Sequence, residues 1–356
     1  MVGNKWFDKE VMAFAATISV ECANVGVNIL YYAAALKGMS YYVFILYTYA
    51  IATLFLLPVP FIYFRTSGLP SSLKLPVLFR ICILAFIGFL AQVVGNKGLE
   101  YTSPTLASAM SNLTPASTFI LAAIFRMEKL RMSSSSSQAK IFGTMASVTG
   151  ALVVILYKGP SILSNSSSPT PTLDWPLYSP NSKWLIGGFL LAMQCILYSL
   201  WYILQSQILK ICPIELLVTF VYTLCVTIIS APICLVAENN SDAWRLKPDI
   251  ALIAIIYSAM FGRCYSTIVH SWGLRLKGPL YVAIFKPFSI AIAAILSVIF
   301  FQEDLNLGIV MGAIVISIGF YGVIWGKANE DDDVFHNLPS LKDPTHSIKR
   351  NNNSLS

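Results

Sequence analysis

The sequence predicts an all-α polytopic membrane protein: ten transmembrane helices built as two five-helix repeats of inverted topology. Three observations carry that expectation. Charged residues make up only 12% of the 356 residues, about half the roughly 25% of ordinary soluble domains. Hydrophobic residues reach 56% with mean hydropathy +0.69, and the apolar residues fall in stretches long enough to cross about 30 Å of hydrocarbon. The second half of the chain then repeats the first.

The spanning stretches lie at 11 to 36, 41 to 64, 77 to 99, 103 to 125, 141 to 157, 184 to 204, 214 to 237, 250 to 272, 279 to 301 and 307 to 326, each bounded by Pro, Gly, Ser or charged residues. The first carries Glu21 at its centre; a cleaved signal would show a short uninterrupted apolar core, so this stretch reads as a retained helix. All are too long for barrel strands, and backbone groups in lipid must be satisfied within the segment, which leaves α-helices. The remaining segments are a cytosolic N-terminus at 1–10, a Ser-rich linker at 132–138, a Pro/Ser/Asn-rich extracytosolic loop at 158–183 and a polar tail at 327–356 with the acidic run Glu330 to Asp333. Such composition buries too little apolar surface to fold alone, so the tail is expected to be disordered. The sequon Asn165-Ser166-Ser167 is a candidate glycan site if the loop faces a secretory lumen.

Shifting the chain by 175 residues pairs Gly98-Leu99 with Gly273-Leu274, Pro104 with Pro279, Ala116 with Ala291, Ile120-Leu121 with Ile295-Leu296, Ile124-Phe125 with Ile299-Phe300, Glu128 with Glu303 and Leu130 with Leu305. An offset of 169 then pairs Gly143 with Gly312, Gly150 with Gly319 and Lys158 with Lys327. The repeats are therefore 11–157 and 184–326. An odd number of spans per copy makes the second enter from the opposite side. Inverted repeats around a midplane site are the architecture of alternating-access transporters, because near-equivalent halves can exchange inward-open and outward-open shapes at little cost.

Orientation follows from Lys and Arg, which accumulate in short cytoplasmic loops. With the N-terminus inside, sixteen of the 24 fall on the cytosolic side and six outside, including Lys37, Arg245 and Lys247. Arg263 and Lys286 lie within spans. Both termini are then cytosolic.

Ionisable and amide side chains within spans normally face the bundle interior or water, because burying them in lipid is costly. Glu21, Asn24 and Asn28 recur at i, i+3 and i+7 on one face of the first helix. The sixth helix offers Gln194, Tyr198, Trp201 and Gln205; an offset of 173 pairs Cys22 with Cys195 and Glu21 with Gln194. The third gives Gln92 and Asn96, the fourth Ser108 and Asn112 before Pro115, and the second half Arg263, Thr267 and His270, then Lys286 before Pro287. Proline removes a backbone donor, so Pro115 and Pro287 are candidate helix breaks where freed carbonyls could meet a solute. Glu21 is a candidate for proton coupling or amine binding, or else a structural carboxylate. Arg263 and Lys286 are candidates for a substrate carboxylate; the alternatives are a structural salt bridge of Arg263 with Glu21 and snorkelling of Lys286 to headgroups.

Gly308, Gly312 and Gly319 form a stripe in the last helix that Gly143 and Gly150 repeat in the fifth. Such stripes permit close helix approach, within one chain or between the copies of a homodimer. The seven cysteines are odd in number and irregularly spaced, which argues against a disulfide framework or a metal site. Ser137-x-x-Lys140 matches a nucleophile pattern without its companions. No P-loop or dinucleotide fingerprint is present, so no catalytic residue and no cofactor is assigned. The basic residues are scattered between apolar blocks, which speaks against nucleic acid as a partner; the expected partners are the bilayer, a small solute and protons.

Gly38-Met39-Ser40, Leu57-Pro58, Asn112-Leu113-Thr114-Pro115, Phe125 through Leu130, Lys277-Gly278-Pro279 and Gly319 through Lys327 resemble the plant nodulin-like, Walls-Are-Thin-related branch of EamA-type drug/metabolite transporters. The resemblance covers about 11 to 327. It implies ten helices in two EamA repeats around a central cavity, with helices five and ten peripheral. Members, also called usually-multiple-acids-move-in-and-out transporters, carry amino acids in both directions, and a vacuolar relative exports auxin. The implied function is a facilitator or exporter of amino acids in the plasma or vacuolar membrane, not an enzyme. The competing readings are an auxin or aromatic-acid exporter and a non-transporting receptor or scaffold. Many members carry Tyr-Arg in helix two where this chain has Tyr47-Thr48.

Overall fold

A computed structural model describes residues 2–67, 75–125, 135–157, 159, 161–163, 182–246, 248–277, 289, 292–293, 295–296, 299–300 and 305–336. Lys286, Pro287, Asn165, Glu128 and Glu303 lie outside the described residues.

The first-half helices are α1 (Val2–Leu36), α2 (Tyr41–Leu56), α3 (Pro58–Ser67), α4 (Leu75–Tyr101), α5 (Pro104–Ser111), α6 (Thr114–Ile124) and α7 (Ser135–Leu156). The second half has α8 (Ser182–Ile211), α9 (Glu215–Ala237), α10 (Ile250–Tyr257), α11 (Ser266–Lys277) and α12 (Leu307–His336). Their boundaries follow local chemistry. Gly38 stands at φ 88°, and the Gly38 and Met39 amides return to Ala35 and Ala34, a Schellman stop that needs a residue free to turn left-handed. Pro58 divides what composition makes one span into α2 and α3, since it cannot donate backward. Ser103 caps α5 by accepting from the Leu106 amide at 3.3 Å, and Asp249 caps α10 at 2.6 Å from the Ile250 amide.

Among the described residues, five helices are long and apolar enough to cross a membrane: Tyr41–Tyr63, Leu75–Tyr101, Lys183–Ile211, Glu215–Ala237 and Ile250–Arg275; Leu307–Val323 is shorter. Large apolar side chains such as Phe61, Phe79, Phe189, Ile228 and Ile318 remain more than half exposed, which suits lipid rather than water around the bundle.

Three features depart from the sequence reading. First, α7 begins at Ser135, inside the serine run expected to be a linker, and Ser136 and Ser137 are buried; serine is well suited to a helix N-terminus. Second, α12 continues to His336, into the segment expected to be a disordered tail, there being no Gly or Pro from 327 to 338. Third, part of the expected extracytosolic loop is a short strand, β1 (Ser161–Leu163), antiparallel to β2 (Leu305–Asn306).

The main core joins α2, α4, α8 and α9 through Ile45, Ile81, Leu84, Ile208, Val218 and Val226. A second joins α5, α7, α8 and α12 through Leu106, Met110, Val154, Leu191 and Ile316. Loop-end ion pairs join Lys37 to Asp249 at 3.1 Å and Arg275 to Glu215 at 2.8 Å.

The α7–α12 pair has an internal two-fold character. A Cβ on Gly143 would strike the Gly319 carbonyl and one on Gly319 the Gly143 carbonyl, while Gly150 and Gly312 face each other in the same manner. Since the repeat maps Gly143 to Gly312 and Gly150 to Gly319, each contact is the image of the other, as in an isologous interface. The shared stripe is thus consumed within one chain.

Candidate functional site

The helices enclose a cavity of about 150 Å³. The α1 wall presents Glu21, Asn24 and Asn28; α4 presents Gln92 and Asn96; α8 presents Gln194, Tyr198 and Trp201. Arg263, Thr267 and His270 close the fourth side. Twelve of the fifteen polar residues singled out within spans from sequence, Ser108 among them, therefore line one cavity, whereas Gln205 and Asn112 do not.

Asn112 lies off it. The chain turns at 112–113, with Asn112 at φ −71° and ψ −8° as the C-terminal cap of α5, so the face carrying Ser108 does not continue to Asn112. Its side chain is fully buried, and neither amide atom has a partner among the described residues. Pro115 sits in the first turn of α6, where a missing N–H costs nothing. Carbonyls at this turn are taken by α8: Ser199 donates to Thr114 O at 3.0 Å and Cys195 to Met110 O at 3.1 Å.

Arg263 is placed by a local irregularity. Residues Ser258–Tyr265 form a π-helical turn between α10 and α11, the sort of bulge that recurs at functional sites. Its Nη2 donates to Gln92 Oε1 at 2.8 Å, and Gln92 Nε2 donates to the Tyr198 hydroxyl. The guanidinium lies 4.8 Å from the Tyr49 ring centroid, within cation–π range. The expected alternative, a salt bridge of Arg263 with Glu21, is not formed. Glu21 instead approaches His270, with Oε1 to Nε2 at 3.8 Å and both side chains buried. His270 packs edge-on to Tyr202.

Sequence reasoning found Tyr198 and Trp201 but missed the other aromatic residues of the lining. Tyr31, Tyr49, Tyr202 and Tyr222 all face the cavity. Tyr49 and Tyr222 touch through their hydroxyls at 3.4 Å, and the offset of 173 that pairs Cys22 with Cys195 also pairs these two. Repeat-equivalent residues that meet must lie beside the internal two-fold axis, a signal available had the offset been carried into the second helix. Thr53 and Thr227, 3.2 Å apart, nearly repeat the relation. Thr48, at the family departure, is buried and donates to the Ile45 carbonyl at 3.0 Å, away from the cavity. Gly95 leaves the space Gln194 occupies, since a Cβ there would overlap its amide. No cluster of three or more His, Cys, Asp or Glu that could hold a metal occurs among the described residues.

A model of the EamA-like transporter family matches residues 11–156 and again 185–325. A WAT1-related protein of Arabidopsis thaliana is 53% identical over 331 residues, 92% of this chain and 90% of the relative. Another from the same plant is 48% identical over 344 residues, 96% of each. One solved crystal structure superposes with TM-score 0.54 at 13% identity, covering 89% of this chain and 99% of that one; at that identity the likeness concerns the fold alone.

Proposed function

Taking as premise that this chain belongs to the EamA-like transporter family and to its WAT1-related members, we propose that it carries amino acids across a plasma or vacuolar membrane by alternating access. Members of this family are membrane transporters of small solutes, not enzymes. In this reading the chain has ten spans, the two family matches are inverted repeats, and both termini are cytosolic. The observation that carries the proposal is a cavity walled from both repeats, with repeat-equivalent tyrosines meeting beside it. The loop-end pairs Lys37–Asp249 and Arg275–Glu215 support the alternation of spans, because each joins segments that the ten-span count puts on one side. The cavity is below the roughly 300–1,000 Å³ of drug-sized sites, a scale that favours amino acids over nucleotide sugars.

The aromatic lining of Tyr49, Trp201, Tyr202 and Tyr222 favours a second reading, export of auxin or another aromatic acid. Efflux from proteoliposomes loaded with labelled glutamine or auxin, with and without a pH gradient, separates the two. Saturable glutamine efflux is the expected outcome; auxin efflux alone would install the second reading. Silence for both from folded protein would favour a receptor. Glu21 serves as the proton-responsive group in this proposal. Glu21→Gln is expected to flatten the dependence of efflux on pH, and an unchanged profile would remove Glu21 from coupling.

A further inference from the structure

Arg263 is a permanent cation inside the protein, only 8% exposed, and among the described residues no carboxylate lies within ion-pair distance of it. A guanidinium offers five N–H donors in a planar fork. Here Nη2 reaches Gln92, a neutral acceptor, while Nε has no partner among the described residues. The Tyr49 ring offsets part of the desolvation. A buried charge is costly unless an opposite charge and further hydrogen bonds compensate it. Glu21, a buried carboxylate of the same cavity, is turned to His270 instead. The guanidinium is therefore left under-compensated in the wall of a cavity that also carries Asn96 and Ser108, whose Nδ2 and Oγ have no hydrogen-bond partner among the described residues.

We propose that Arg263 is the receptor for a substrate carboxylate, so that the cavity selects solutes bearing a free carboxylate, and that Gln92 holds the guanidinium in place until that carboxylate arrives. The inference deepens the transport reading and rests on the cavity being the solute site. A carboxylate matches the fork of an arginine with two charge-assisted bonds, stronger than the single neutral bond to Gln92. A phosphate dianion would want more positive charge than Arg263 supplies alone. Gln92 belongs to the first repeat and Arg263 to the second, so a carboxylate that replaces Gln92 loosens a tie between the halves. Gln92 is a positioning residue here: it acts through Arg263 and Tyr198.

Saturation-transfer NMR on the full-length protein in phosphatidylcholine nanodiscs tests this with butyrate, butyramide and butylamine as probes. Butyrate should bind saturably, with butyramide and butylamine about tenfold weaker or less. Arg263→Gln should lower butyrate affinity by about tenfold, and Arg263→Lys, which keeps the charge but not the fork, should fall between. Should Arg263→Gln fail to fold, Gln92→Glu provides an isosteric test: it places a built-in carboxylate on the guanidinium and should block butyrate to a similar degree. Equal binding of butyramide and butyrate, or wild-type butyrate affinity in Gln92→Glu, would overturn the proposal. Glutamine flux, measured separately, divides the failures. Flux without carboxylate selectivity ends this inference and leaves the transport reading, whereas selectivity without flux of any acid does the reverse.

Discussion

Small residues line both the α7–α12 seam and the face that α4 turns toward α8 and α9, yet they do opposite things. At α7–α12 a methyl group on Gly143, Gly150, Gly312, Gly319 or Gly326 would meet backbone of the facing helix. On α4 a methyl on Gly88 would meet the Tyr222 hydroxyl, and one on Gly95 the Gln194 amide. The first seam is closed backbone to backbone and has little room to give. At Gly88 and Gly95 the second is closed by the far ends of side chains that line the cavity, which can withdraw, and only at Gly98, beside the Gly187 carbonyl of α8, does it come as close to backbone. A stripe of glycines in sequence thus does not distinguish a fixed joint from a working surface; what fills the groove does.

The largest effect expected from that difference is on stability. Gly319→Ala places a methyl against the Gly143 carbonyl and the Ser147 amide, and overpacking of this kind costs about 1–3 kcal/mol. Gly143→Ala should cost a similar amount. Because the two positions are in contact, the double variant should depart from additivity. Thermal unfolding of the detergent-solubilised variants measures both, while flux per folded molecule should stay near wild type. A stable Gly319→Ala with impaired flux would make the α7–α12 seam the mobile one.

Gly95→Ala should show the converse. The colliding atoms belong to the Gln194 amide, so a rotamer change relieves the clash and the unfolding temperature should move little. The displaced amide enters the cavity, and flux should fall about tenfold, equivalent to about 1.4 kcal/mol. Normal flux with reduced stability would show that Gln194 is a packing residue.

Much of this contrast could be read from sequence, though not its sense. The repeat offset located the glycines shared by α7 and α12 but not Gly88 or Gly95 on α4, and the i, i+3, i+7 spacing placed Glu21, Asn24 and Asn28 on one face, a signal that depends only on helical periodicity. Asn112 was misplaced because periodicity fails where a helix turns at 112–113. The position of Arg263 depends on a π-helical turn that shifts the register without marking the sequence. Tyr49 and Tyr222 were missed because a tyrosine in an apolar stretch looks like any other core aromatic until its repeat partner is considered. Arg263 and Gln92, by contrast, were both recognised, but nothing in a linear pattern says that a cation will take an amide rather than the available carboxylate.

The two native thiols Cys82 on α4 and Cys225 on α9 sharpen the comparison from the cavity side, their sulfurs lying 3.7 Å apart. They belong to different repeats, and Cys225 packs against the core of α2, α4, α8 and α9. Oxidation with a copper–phenanthroline catalyst should link them, since a modest approach reaches bonding distance. If α4 and α9 move against each other during transport, the linked protein should lose most of its flux and regain it on reduction. Full flux in the linked protein would place the moving boundary elsewhere.

The smallest effect should come from the polar contact nearest the fixed seam. Ser147 Oγ donates to the Ile316 carbonyl at 3.4 Å, a long bond at the edge of useful geometry, in a seam already held by backbone approach. Membrane-interior hydrogen bonds average only about 0.6 kcal/mol, and this one should fall below that, because the Ser147 hydroxyl can turn to its own helix. Ser147→Ala keeps the volume close to that of serine and leaves the glycine contacts untouched, so both unfolding temperature and flux should match wild type within error. A loss near that of Gly319→Ala would mean that the hydroxyl, not the absence of side chains, holds α7 against α12. The distinction between the seams would then rest on polarity instead of on what fills the groove.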